Sequence, residues 1–319
     1  MTESKRLSRG LLNGCKRLQA HIVKNKMNIA LYVMILPTVV YVLIFHYLPM
    51  FGLLLSFKDY NSFLGVWDSP WAGMGGFEHF VTFVTLPNFW QIIGNTLVLS
   101  VYSIAVNTVC PIVLALFMNE IRVKWFKKTV QTISYAPYFI STVVVVGMLF
   151  SFFNTESGVL AKMLGLSSSA MESEGLFSTI YVVSGLWQGL GWWAIIYIGT
   201  LANVDQNLHE AAVLDGAGRL KRIWFINLPE IIPMAIIMFI LSIGNILTVG
   251  YEKVWLMQTA GNLQASEVIA TYIYRVSLGA RVPQYSYATA IGLFNSVINV
   301  LLLCVANFIS RKVSETSLW

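Results

Sequence analysis

Few side chains in this sequence stand where they could make or break a bond. The four histidines (His21, His46, His79, His209) and three cysteines (Cys15, Cys110, Cys304) are scattered, with no CxxC pair and no HExxH. That spacing indicates neither a metal set nor a disulfide framework. A GxxxxGK[ST] loop is absent, so the chain has no means of cradling nucleotide phosphates itself. No catalytic residue, metal ligand or bound cofactor is assigned. A different chemistry is open to Trp187, Gln188, Trp192 and Trp193, which fall together in LWQGLGWWAIIYIG. Aromatic faces stack on the apolar faces of sugar rings and amides bond hydroxyls, so this group suits a path for a hydroxyl-rich solute. Asn95, Asn107, Asn245, Asn295 and Asn299 add polar groups within otherwise apolar runs, and Asn295 and Asn299 share one helix face. The competing reading stays open: an interfacial aromatic belt, and interhelical hydrogen bonds of about 0.6–2 kcal/mol each.

The segment 202–230 carries a mechanical rather than a catalytic pattern. Asn207 can cap a short helix through Glu210, Ala211 and Ala212, all good helix formers, with Glu210 near its positive end. Gly216 and Gly218 can close that helix in a left-handed turn. A second short helix over 220–227 then leads to Pro229 and Pro233, which suit the first turn of the next helix. The expectation is two small helices at an angle, with an alanine-lined surface for close approach by a partner.

The elements that position these groups follow from composition. Of 319 residues, 56% are hydrophobic and only 11% charged, against roughly a quarter charged in soluble domains. Too little polar surface exists to coat a water-soluble globule, which excludes a cytosolic enzyme, a secreted disulfide scaffold and a disordered tail. Charge-free stretches cover 27–57, 79–119, 129–155, 176–204, 231–251 and 282–310. Each exceeds the roughly 20 residues that cross about 30 Å of hydrocarbon as a helix. Six transmembrane helices are expected, near 30–56, 93–118, 130–153, 177–201, 231–250 and 286–309. Continuous rather than alternating apolar runs exclude a barrel. Lys and Arg number sixteen in the tails and in the 119–129 and 202–230 loops, against five in the alternate loops. Both termini are therefore expected in the cytoplasm, and the net charge of +6 needs no nucleic acid to explain it. Residues 7–23 mix apolar and basic positions, as a surface-lying amphipathic helix would, or simply as a solvated basic tail. The first stretch is too long for a signal-peptide core and is expected to remain as an anchor.

Glu210-Ala211-Ala212, three residues, Gly216, nine residues, then Ile226-x-Leu228-Pro229 matches without a gap the EAA signature of binding-protein-dependent ABC importer permeases. The match falls in a cytoplasmic loop before the penultimate span. LYVMILP from Leu31, YLPM from Tyr47, SFKDYN from Ser56, SYAP from Ser134, NTL from Asn95, and TYIY from Thr271 with YATA from Tyr287 resemble the lipoprotein-associated and alginate-transport branch of sugar permeases. Ala260-Gly261-Asn262 stands where many sugar permeases carry Gly-Gly-Pro, so the external loop is expected to meet its binding protein differently.

The resemblance implies an all-α, type I importer membrane domain of MetI-like fold. It implies a cytoplasmic tail over 1–27, a six-helix domain over 28–312 containing the coupling loop 203–230, and a second cytoplasmic tail over 313–319. Implied partners are a second homologous permease, usually a different chain, and two ATPase subunits that carry the ATP and Mg. A solute-binding protein outside would deliver an oligosaccharide, including uronate-containing ones. Glu210, Ala211, Ala212, Gly216, Ile226, Leu228 and Pro229 would dock on the ATPase. A secondary carrier for a polar solute is the alternative. It would require an intramembrane charge or inverted repeats, and the six stretches contain no Asp, Glu, Lys or Arg. A membrane-embedded enzyme would need a clustered His, Asp or Ser constellation.

Overall fold

The computed structural model describes residue 29 and residues 31–166 and 168–313. The expected surface helix over 7–23 and most of both tails lie outside the described residues. All regular structure among the described residues is helical, apart from two isolated β-bridges. The described residues form two units, one comprising those up to 55 with 61–69, the other 56–60 and those from 70.

The first unit holds most of the helical run Leu31–Phe57. A π-turn at Leu43–Tyr47 interrupts its α-helical pattern just before Leu48-Pro49, and the Leu48 N–H donates five residues back to the Leu43 carbonyl. Proline has no N–H to continue the four-residue ladder. The π register accommodates that gap without ending the helix.

In the second unit the helices Phe89–Glu120 and Glu174–Ala202 form the central pair. Their buried residues recur at helical spacing: Phe89, Ile92, Thr96 and Leu99 on one, Phe177, Ile180 and Ser184 on the other. Gly191 permits close packing with a third helix. A Cβ there would land on the Ser134 carbonyl.

Among the described residues, four helices are long and apolar enough to cross a membrane: Leu31–Phe57, Phe89–Glu120, Arg219–Ile243 and Tyr285–Lys312. A bent pair makes a fifth candidate, and Glu174–Ala202 has the length of a span but more Gly, Ser and Thr. The expected third span, 130–153, is not one helix. Lys124–Phe139 and Thr142–Phe152 meet at 97°. Pro137 tightens the end of the first into a 3₁₀ turn, and the Ser141 hydroxyl caps the second by accepting from the Val144 N–H at 3.5 Å. The Ile140 carbonyl released at this break accepts a 2.8 Å bond from Gln188 Nε2.

The fifth span also ends earlier than the expected 231–250. Its helix stops at Ile243, and 244–250 is a series of turns. Gly244 lies so close to Leu303 that a Cβ would meet its side chain at 2.7 Å. Asn299 braces the turns: its Oδ1 accepts from the Leu247 N–H at 3.1 Å and its Nδ2 donates to Thr248 Oγ1 at 2.9 Å.

Beyond the turns, 251–285 folds as short helices Tyr251–Met257, Leu263–Ser266 and Ile269–Ser277. Asn262 is fully buried at their centre. Its Nδ2 donates to the carbonyls of Met171 (2.7 Å) and Met257 (2.9 Å), and its Oδ1 accepts from Thr259 N–H and Ser266 Oγ. At the position of the departure from Gly-Gly-Pro, then, the asparagine knots the loop together and ties it to Met171. Asn95 Nδ2 ties the same loop to the Phe89–Glu120 helix through the carbonyls of Gln264 and Glu267. Burial raises the Glu267 carboxyl, and Arg275 at 2.9 Å pulls it back.

Candidate functional site: the EAA loop and a polar cavity

The 202–230 segment folds as a helix Gln206–Leu214, a reversal, and a second helix beginning at Arg219. Its cap is Asp205, whose Oδ1 accepts from the Asn207 N–H at 2.9 Å, rather than the expected Asn207. Starting two residues earlier, the helix places Glu210 at its middle instead of in the first turn, so the helix dipole does little for that carboxylate. Glu210 and Ala211 are exposed and Ala212 is partly covered.

The reversal is a Schellman motif. Ala217 N–H donates to the Ala212 carbonyl at 2.8 Å and Gly216 N–H to the Val213 carbonyl at 3.0 Å. Gly216 has φ +76° with open space around it, so the backbone angle and not crowding demands glycine here.

The expected separate helix over 220–227 is instead the start of the next long helix, Arg219–Ile243. A π-turn at Ile223–Asn227 precedes Leu228-Pro229, with Leu228 N–H donating to the Ile223 carbonyl. This repeats the device at Leu43–Tyr47, and it keeps the run Arg219–Ile243 helical throughout. Arg222 reaches Glu120 at 3.8 Å, at the end of the Phe89–Glu120 helix. Asn227 is fully buried, and Ile226 and Leu228 are partly so. Leu214, Leu220 and Phe225 are 88%, 79% and 73% exposed.

The aromatic and amide candidates separate in space. Gln188 and Trp193 line a cavity of about 350 Å³ with Ser103, Asn107, Tyr181 and Lys253. A neighbouring one of about 230 Å³ shares Ser103, Asn107 and Trp193 and reaches Ser242. Asn245 lines a third with Ser100, Ser103 and Tyr181. Trp187 borders an apolar groove with Val145 and Phe152. Trp192 stacks on Tyr138 at 4.4 Å and 5°. Asn299 is engaged in the brace described above, and the buried Oδ1 atoms of Asn107 and Asn295 have no hydrogen-bond partner among the described residues.

Lys253 escaped sequence reasoning, because in a loop it registers only as one external charge. Its Nζ donates to the Tyr181 carbonyl at 3.0 Å and lies 5.0 Å from that ring. Burial pushes the ammonium down to about 8.

A helical membrane domain with a rigid, apolar-tipped EAA loop defines the permease class of ATP-driven importers. Residues 111–315 match the family described as binding-protein-dependent transport system inner membrane component, and the chain belongs to that family. It is a transport subunit rather than an enzyme. The chain is 39% identical to Protein LplB of Bacillus subtilis, covering 91% of each chain. It is 37% identical to the polygalacturonan/rhamnogalacturonan transport system permease protein YteP of the same organism, covering 95% of this chain and 94% of the relative. Among solved structures, a chain of a bacterial alginate ABC transporter in complex with an alginate pentasaccharide-bound periplasmic protein superposes with TM-score 0.82 at 36% identity. That superposition covers 92% of this chain and 98% of the other.

Proposed function

We propose that this chain is one of two permease subunits lining the pathway of an ATP-driven importer for a carbohydrate, an oligosaccharide delivered by a solute-binding protein outside the cell. The observation that carries the reading is the EAA segment, folded as a Schellman-closed helix with exposed apolar side chains and followed, after the reversal, by a helical run Arg219–Ile243 apolar enough to cross a membrane. Its similarity to permeases named for pectic and other sugars supports a glycan as cargo. Two ATPase subunits, which hold the ATP and Mg, dock on Glu210, Ala211, Ala212, Gly216, Ile226, Leu228 and Pro229. The partner permease is a different chain. Gln188, Trp193 and Asn245 line the solute path, where polar groups meet the cavities.

The complex is tested by co-expressing the chain with its cognate permease, ATPase and binding protein, and measuring ATP hydrolysis in proteoliposomes against a panel of solutes. Hydrolysis rises severalfold with binding protein plus an oligosaccharide. Stimulation by amino acids or ions, with none by any sugar, defeats the carbohydrate assignment.

The membrane domain spans 28–312 six times, between cytoplasmic tails over 1–27 and 313–319. In a background with Cys15, Cys110 and Cys304 replaced, Glu156→Cys is expected to react with an impermeant maleimide in intact cells. Val123→Cys reacts only after the inner face is opened; both positions are exposed. Labelling of Val123→Cys in sealed cells reverses the orientation.

A further inference from the structure

We propose that Lys253 is a specificity-determining residue that binds the carboxylate of an acidic sugar unit in the cavity it shares with Gln188 and Trp193. This rests on the carbohydrate-permease reading above and narrows its substrate class.

An ammonium has three donors, and among the described residues only the Tyr181 carbonyl takes one, at 3.0 Å. No Asp or Glu of the described residues lies within ion-pair distance of Lys253, although Arg222, Arg275 and His79 each have an acidic neighbour. Gly185 makes room for it: a Cβ there would come within 3.3 Å of Nζ. A partly buried cation with no counter-charge is costly unless a ligand supplies one. Desolvation brings the group down to about 8, still high enough to keep it mostly protonated at neutral pH.

The rest of the cavity complements the rest of a sugar. At about 350 Å³ it lies within the roughly 300–1,000 Å³ of small-molecule sites. Asn107 brings a buried Oδ1 with no partner among the described residues, an acceptor suited to a hydroxyl. Trp193 contributes an aromatic surface. Cation, acceptor and ring together match a uronosyl residue, whereas a neutral sugar leaves the ammonium without a counter-ion.

The test uses the assembled complex in nanodiscs and two probes, trigalacturonate and its carboxyl-reduced neutral counterpart, with binding followed by saturation-transfer NMR. The unaltered complex binds trigalacturonate at least tenfold more tightly than the neutral probe. Lys253→Gln removes that preference and leaves the neutral probe's affinity unchanged, while Lys253→Arg retains it. Equal weakening of both probes makes Lys253 a packing tether for Tyr181 and overturns the proposal. If Lys253→Gln does not assemble, equal affinity of the unaltered complex for the two probes also overturns it. Failure is separable from failure of the carbohydrate reading: tighter binding of the neutral probe refutes only the carboxylate role. Sugar-insensitive ATP hydrolysis refutes the carbohydrate reading itself.

Discussion

Gly216→Pro is expected to abolish coupled uptake while the chain remains in the membrane at normal abundance. Gly216 holds φ +76°, and its N–H closes the Schellman reversal onto Val213. Proline fixes φ near −65° and has no N–H, so both features are lost together. A bulkier L-residue at this angle costs about 1–2 kcal/mol from sterics alone. Each 1.4 kcal/mol is about tenfold in a docking equilibrium, so ATPase association should fall by roughly 5- to 30-fold from this strain. Ala212→Arg is expected to give the same phenotype by another route, placing a long charged side chain on the half-covered face of the Gln206–Leu214 helix. The Gly216 effect is expected to stay local, because a side chain added there meets nothing within 4 Å. Retention of ATPase subunits on the purified permease, together with uptake, is the measurement. Full association and full uptake in both variants would remove this loop from the coupling role.

Gly191→Leu is expected to destroy the fold itself. Its Cβ would strike the Ser134 backbone, which no rotamer change can move, so the Glu174–Ala202 helix has to separate from the Lys124–Phe139 helix. Separation also breaks the Gln188–Ile140 bond that closes the 97° bend. Overpacking costs about 1–3 kcal/mol where neighbours can shift, and more where backbone is the obstacle. Gly199→Leu is the control on the same helix, with nothing within 4 Å. Thermal unfolding in detergent should show a large drop for Gly191→Leu and little change for Gly199→Leu. Equal melting of the two would show that this close packing does not limit stability.

Much of this protein was legible in its sequence, and the legible part is local. Exclusion of charge from hydrocarbon marks apolar runs residue by residue, which locates the long helices. The Glu210-to-Pro229 spacing locates the EAA segment, and Gly216 sits at the left-handed turn expected of it. Within the EAA segment, local rules failed where two local answers competed. Asp205 and Asn207 are both good caps, and Asp205 is used because its carboxylate reaches the Asn207 N–H. Leu228-Pro229 reads as a helix start, yet the π-turn before it keeps the helix continuous.

The sequence by itself therefore determined the long apolar helices, the family and the position of the EAA segment, because each depends on neighbours along the chain. The tertiary structure alone decided the 97° break, the turns at 244–250 and the cavity. Those depend on groups distant in sequence: Gln188 at the Ile140 carbonyl, Asn299 at Leu247, and Lys253 at the Tyr181 carbonyl beside Asn107. An asparagine or lysine carries the same donors wherever it stands. Its partner is chosen when helices pack and leave one backbone carbonyl, or one pocket of space, within about 3 Å of it.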